Sequence, residues 1–453
     1  MVQQKDHSAS MGTESISRLL LRFSLPSTIA MLVNASYNII DTIFVGRLGS
    51  DAIAALSVCF PIQMLLGGLA IGTGIGAASL ISRSLGAGKR HEAATAAGQV
   101  FLLALVFGLL TFLGGFFYLR PLLLIFGATP DILELSEQYL SIISYGAVLL
   151  FLIMILNHTV RAEGNVMLSM TVMILSAITN IILDPIFIFV LGFGIRGAAI
   201  ATVVSKVVGV GILLWYFAAK KSTLNVHLFN LAPNWPVIID IYRVGLPSLF
   251  IQISANISLI VVNRILGSYG YIPIALMGLF VRLQMFAFMP VIGISHGLLP
   301  IIGYNFGACQ YPRIREAMIK GIGLGTVFVT FLGLAFFAFP GVFLRIFSSD
   351  TELLELGETA LRIMVIMYPL IAAQTISIVF FQAIGRGTSS LWLSLLRQFL
   401  LYIPFILLMP RFFNLTGIWL ATPIADLLAF AVTAAMVSRE FSRRGIPLLA
   451  QKV

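Results

Sequence analysis

Three carboxylates, Asp41, Asp184 and Asp426, stand well inside long apolar runs; the other fifteen acids lie in polar segments or near run ends. Around two of them, oxygen-bearing side chains recur at helical spacing. Asn34, Tyr37, Asn38 and Asp41 follow an i, i+3/4, i+7 pattern, so they share one face of a helix. Asn180 precedes Asp184 by one turn, and Thr202 follows in the next apolar run. Two chemistries suit such a group. A buried carboxylate can take up and release a proton near neutral pH. Alternatively, two carboxylates with amide and hydroxyl oxygens make a hard cage for an alkali cation such as Na+, and Pro185 can leave a backbone carbonyl free to join it.

The elements that must hold these groups follow from composition. Of 453 residues, 59% are hydrophobic and only 10% charged, against roughly 45–50% and 25% in soluble domains. A soluble enzyme, a disordered chain and a nucleic-acid binder are all excluded, although the formal charge is +10. Apolar runs of about 20 residues cross a hydrocarbon core as helices. Twelve are expected, at roughly 20–45, 53–82, 94–118, 138–160, 166–190, 196–219, 245–266, 273–302, 318–341, 359–383, 390–410 and 416–438. No cleavable signal peptide is expected, because the first twenty residues are polar and include Glu14. The connecting segments of one side carry 18 Lys and Arg, those of the other 6, which predicts that both termini are cytoplasmic. In that frame the helix from Arg22 to Asp41 is nearly as long as that from Gly164 to Asp184, so the two acids reach nearly one depth. A charge facing lipid there would cost about 2.5–3.5 kcal/mol, so both acids should face the bundle interior.

The chain also repeats itself at a near-constant offset. Leu25-Pro26-Ser27 returns as Leu246-Pro247-Ser248, Gly72 and Gly76 as Gly293 and Gly297, and Gly86-Ala87 as Gly307-Ala308. Ala162 and Gly164 match Ala383 and Gly385; Gly197, Ala201 and Thr202 match Gly417, Ala421 and Thr422 after one deletion. Six spans per repeat keep the two halves in the same orientation, related by a pseudo-two-fold axis along the membrane normal. The predicted architecture is therefore an all-α polytopic membrane protein of two six-helix lobes. Residues 1–219 form the N-terminal lobe, 220–244 a cytoplasmic connector and 245–453 the C-terminal lobe. Gly68, Gly72 and Gly76, at i, i+4, i+8, are read as a close-packing stripe. The repeat breaks at the acids: Asp41 faces Val262, and Asp184 falls beside Pro404-Phe405. Asp426 corresponds to Lys206, which suggests an inter-lobe pair of these two, with Arg282, Arg397 and Gln284 as other partners for Asp426.

Enzymatic readings find no support in the motifs. No span holds His-Glu-x-x-His or Asp-Asp-x-x-Asp, the five histidines are scattered, and Cys59 and Cys309 form no metal cluster or disulfide framework. A phosphate loop ending at Gly88-Lys89 fails because Arg83 stands where glycine is needed.

Pro26, the Tyr37-Asn38…Asp41 stripe, the stretch Gly46–Ala55, Arg161-Ala-Glu-Gly-Asn165 and Gly197–Thr202 together resemble the multidrug and toxic compound extrusion (MATE) family. The likeness covers essentially the whole chain. Acids in the N-terminal lobe resemble the DinF-type branch, common in prokaryotes. The NorM-type branch places acids in the other lobe, where the seventh span here offers Gln252, Ser254 and Asn256 and the tenth Gln374 and Ser377. The resemblance implies an antiporter of the plasma membrane, without cofactor, coupled to H+ or Na+ at Asp41, Asn180, Asp184 and Thr202. It would act as a monomer on small organic substrates, taken into an adjoining cavity with Asn34, Tyr37, Asn38 and Asn157 on its wall. Pro26, lacking a helical donor, would act as a hinge. A flippase for lipid-linked sugars shares this plan; its cavity should carry several Arg or Lys for a pyrophosphate, where this chain has Lys206, Arg282 and Arg397.

Overall fold

The computed structural model describes residues 8–347 and 350–445, without the side chains of residues 228, 252, 255 and 256. Lys5 and Lys452, counted in the charge bias, and the side chains of Gln252 and Asn256 thus lie outside the described residues. Among the described residues, eleven helices or bent helix pairs are long and apolar enough to cross a membrane, and Trp235–Leu266 is a twelfth long helix. They are α1 (Ile16–Gly46), α2 (Ser50–Gly86), α3 (Arg90–Phe117), α4 (Pro130–Tyr145 with Ala147–Ala162), α5 (Val166–Val190) and α6 (Ile195–Ala218). The second set is α7 (Trp235–Leu266), α8 (Tyr271–Gly307), α9 (Tyr311–Ala338), α10 (Thr351–Val365 with Tyr368–Ala383), α11 (Gly387–Leu408) and α12 (Pro410–Ser442).

The twelve match the apolar runs one for one, with three differences. The fourth and tenth spans are bent pairs, broken by 54° and 48°. Gly146 occupies the first break, and the second comes just before Tyr368-Pro369, where the proline ring suits a new first turn. The connector is shorter than expected, because α7 already begins at Trp235. It is tied down by side chains with no helical partner to serve. Gln99 Nε2 donates to the carbonyls of Asn230 and Ala232, both at 2.8 Å, and its Oε1 accepts from Asn234 N at 3.0 Å. Fully buried Glu163 accepts at Oε2 from Ser222 Oγ (2.6 Å), Thr223 N (2.9 Å) and Thr223 Oγ1 (3.0 Å).

The chain forms two compact units, and they divide inside helices rather than at the connector. Of the described residues, one unit comprises 8–13 and 29–249, and the other 14–28, 250–347 and 350–445. The first part of α1 therefore packs in the second unit, and the first part of α7 in the first. In each case the change comes just after the repeat-related proline, Pro26 or Pro247.

Glycines make this possible. A Cβ on Gly72 would sit 2.8 Å from the Gly245 carbonyl oxygen, and one on Gly76 would meet the Ile241 carbonyl. In the second unit, a Cβ on Gly293 would sit 2.7 Å from Thr28 Cα, and one on Gly297 3.1 Å from Phe23. The repeat seen in the sequence is thus a repeat of helix–helix seats: α2 receives α7 as α8 receives α1. The entry to the sixth helix of each half repeats too, with Gly194 (φ 56°, ψ −133°) answered by Asn414 (φ 49°, ψ −138°).

Candidate functional site

The first unit brings the predicted oxygens together from three helices. Asn165 caps α5 by accepting from Leu168 N at 3.2 Å, which starts the helix that carries Asn180 and Asp184 on one buried face. Asp184 is fully buried and Asn180 is 1% exposed. Asn180 Nδ2 donates to Asp184 Oδ1 at 3.1 Å and reaches Thr202 Oγ1 on α6 at 3.4 Å. Directly after Pro185 the helix widens into a π-turn over Ile186–Val190, a distortion frequent at functional sites.

From α1, the carboxyl of Asp41 comes up against that of Asp184. Asp41 Oδ1, Asp184 Oδ2 and Asn180 Oδ1 are buried with no donor among the described residues. Two carboxylates this close repel each other when both are ionised, and a proton or a small cation between them would relieve that repulsion. The residues present fit either.

Three further residues complete the site. Lys206, one turn beyond Thr202 on α6, places its Nζ 5.1 Å from the centre of the Tyr37 ring and close enough to Asp41 to act on its charge. Tyr139 on α4 is 4% exposed and lies near Gln63 of α2, Asp41 and Tyr37. The i+4 spacing from Thr202 could have placed Lys206 here from the sequence. Nothing in their surroundings along the chain distinguishes Tyr139 and Gln63 from packing residues.

The remaining predicted residues are distributed differently. Asn34 and Tyr37 are half-buried and Asn38 exposed, and Asn38 Nδ2 returns to the Asn34 carbonyl at 2.7 Å. Asn157 is 4% exposed and engaged at both ends by Ser169: its Nδ2 donates to the Ser169 carbonyl at 3.4 Å and its Oδ1 accepts from the Ser169 hydroxyl. It is a clasp between α4 and α5. Pro26 is buried within α1, which stays helical through it. Lys206 and Asp426, read as a possible inter-lobe pair, each have a partner within their own unit. Lys206 lies over Tyr37, and Asp426, 2% exposed, takes a 2.6 Å hydrogen bond and ion pair from Arg397 Nε, one of the alternatives the sequence left open.

Comparison with known proteins bears on the family and the fold. The MatE family model matches twice, over residues 26–186 and 247–408, so the two matches begin at Pro26 and at its repeat partner Pro247. A FAD transporter of Shewanella oneidensis is 31% identical over 427 residues, covering 91% of this chain and 92% of that protein. The multidrug export protein MepA of Staphylococcus aureus is 29% identical over 425 residues, 93% of each. Among solved structures, the MATE multidrug transporter DinF-BH superposes with a TM-score of 0.88 at 37% identity, covering 96% of this chain and 98% of that one. A tandem family match, full-length relatives and a shared two-lobe fold lead to one conclusion: this chain belongs to the MatE family, the multidrug and toxic compound extrusion transporters, and is a multi-pass membrane transporter rather than an enzyme.

Proposed function

We propose that the protein is a proton-coupled antiporter of the plasma membrane that exports organic cations and other amphipathic toxic compounds by alternating access. The coupling site is Asp41, Asp184, Asn180 and Thr202. The observation that carries this reading is the carboxyl–carboxyl contact of Asp41 and Asp184. One shared proton satisfies it, and with the Lys206 ammonium beside Asp41 the cluster is then neutral. That is the state a low-dielectric interior favours. A sodium ion would leave the same net charge, but it would need the two carboxyls spread around it to coordinate it.

In the proposed cycle, protonation from outside closes the carboxyl contact and changes how α1 packs beyond Pro26. Loss of the proton reopens it, and the ion-free lobe favours cargo. The names of the multidrug relatives support the choice of cargo. The test is efflux of rhodamine 6G from proteoliposomes under an imposed pH gradient and, separately, an imposed sodium gradient. The pH gradient alone should drive it. Efflux driven only by sodium would reassign the ion to the same oxygens. Full gradient-driven efflux in both Asp41→Asn and Asp184→Asn would remove the site from the mechanism.

A further inference from the structure

The second unit holds an ion pair that the coupling reading does not use. Arg397 lies in the middle of the 22-residue helix α11, within a π-helical stretch over Leu396–Tyr402. Its Nε donates to Asp426 Oδ1 on α12 at 2.6 Å. The two side chains differ in exposure: Asp426 is 2% exposed, Arg397 26%. Among the described residues, Nη1 and Nη2 of Arg397 have no hydrogen-bond partner. The guanidinium thus spends one edge nitrogen on Asp426 and presents its two terminal nitrogens outward.

A helix of this length only just crosses the hydrocarbon core, so its middle residue lies about 15 Å from either headgroup layer. An arginine side chain cannot snorkel that far, and an exposed guanidinium facing lipid tails at that depth is strongly disfavoured. The terminal nitrogens therefore open onto a water-lined surface of this unit. A planar pair of N–H donors, fixed in direction by a buried carboxylate, matches the two oxygens of a carboxylate, sulfonate or phosphate. Midplane polar groups are where transporters of this plan bind substrate.

We propose that Arg397 binds the anionic group of a transported amphiphile, and that Asp426 is the positioning residue that aims it. The protein then accepts anionic or zwitterionic amphiphiles beside organic cations. This rests on the export reading, but it is tested by binding without any gradient, so failure of proton coupling and failure of this assignment are distinguishable.

The probes are two xanthene dyes of similar skeleton: fluorescein, anionic at neutral pH, and rhodamine 6G, a cation. Fluorescence polarisation on protein in nanodiscs gives the ratio of their affinities. Arg397→Gln should lower the affinity for fluorescein relative to rhodamine 6G by at least about tenfold, the worth of a charge-assisted hydrogen-bond pair. Arg397→Lys should recover only part of that ratio, because an ammonium lacks the fork. Asp426→Asn should shift the ratio in the same direction, but less. Since Arg397→Gln strands a buried acid, the double variant Arg397→Gln/Asp426→Asn serves as the charge-balanced control and should show the same loss. An unchanged ratio in both the single and double variants overturns the proposal, as does a wild-type protein that does not bind fluorescein.

Discussion

At the residue scale, the coupling site depends on which groups can tolerate losing a charge. Asp184 accepts a hydrogen bond from Asn180 at Oδ1, and its carboxyl meets that of Asp41. Asparagine at 184 keeps an acceptor for Asn180 and resembles the protonated acid, so Asp184→Asn should fold with a thermal midpoint no lower than wild type while proton-driven efflux falls to background. Thermal unfolding by intrinsic fluorescence and vesicle efflux measure the two halves of that statement. Glu163, outside the spans, gives a different pH signature. Burial pushes its carboxyl above the ordinary range, opposed by the donors from Ser222 and Thr223. The folded state therefore holds a proton at Glu163 more tightly than the unfolded chain does. Its contribution is full below the ordinary carboxylate pKa and is lost as pH rises through the folded value. Glu163→Gln should remove that part of the pH dependence of stability. Glu163→Ala should cost about 1–3 kcal/mol at the acid end, where Glu163's contribution is full, because the buried donors of Ser222 and Thr223 lose their acceptor, and less as pH rises. A thermal-stability series from pH 4.5 to 8 on the three proteins decides both.

At the scale of elements, the sequence was most legible where one physical rule acts alone. Apolar runs located all twelve spans, because length and hydrophobicity suffice for crossing a membrane. The cost of a buried charge singled out Asp41, Asp184 and Asp426. The bends in α4 and α10 were not legible from hydropathy alone, since apolar residues continue across Gly146 and Met367 and packing decides where the axis turns. Nor was the partner of Asp426, because several cations lay within reach and only side-chain geometry selects Arg397. The glycine stripe was read correctly as close packing, but not what it packs against. Gly76 seats the backbone of α7 at Ile241, which cannot withdraw without unwinding its own turn. Gly76→Ala should therefore destabilise the protein by about 1–3 kcal/mol, as overpacking does. Gly114→Ala, with nothing within 4 Å of the added Cβ, should change it little. Equal midpoints for the two variants would mean that α7 does not sit against α2 as described.

At the scale of the whole molecule, the direction of insertion gives the site its meaning. The same oxygens on the opposite side of the membrane would couple a gradient to uptake. The repeat supplies a native reporter for this. Cys309 follows Gly307-Ala308 as Gly88 follows Gly86-Ala87, in a loop flanked by Arg313, Arg315 and Lys320. Cys309 is exposed, whereas Cys59 is buried against Ser136. A membrane-impermeant maleimide should leave the protein in intact cells unlabelled and should label it in inside-out vesicles, with Cys309→Ser abolishing the signal. The positive-inside bias requires this outcome, because the segment bearing Cys309 is one of the basic ones. Labelling in intact cells would turn the molecule over. Asp41, at the far end of α1 from Arg22, would then lie toward the cytoplasmic face, and the direction of proton-driven transport proposed here would have to be reversed.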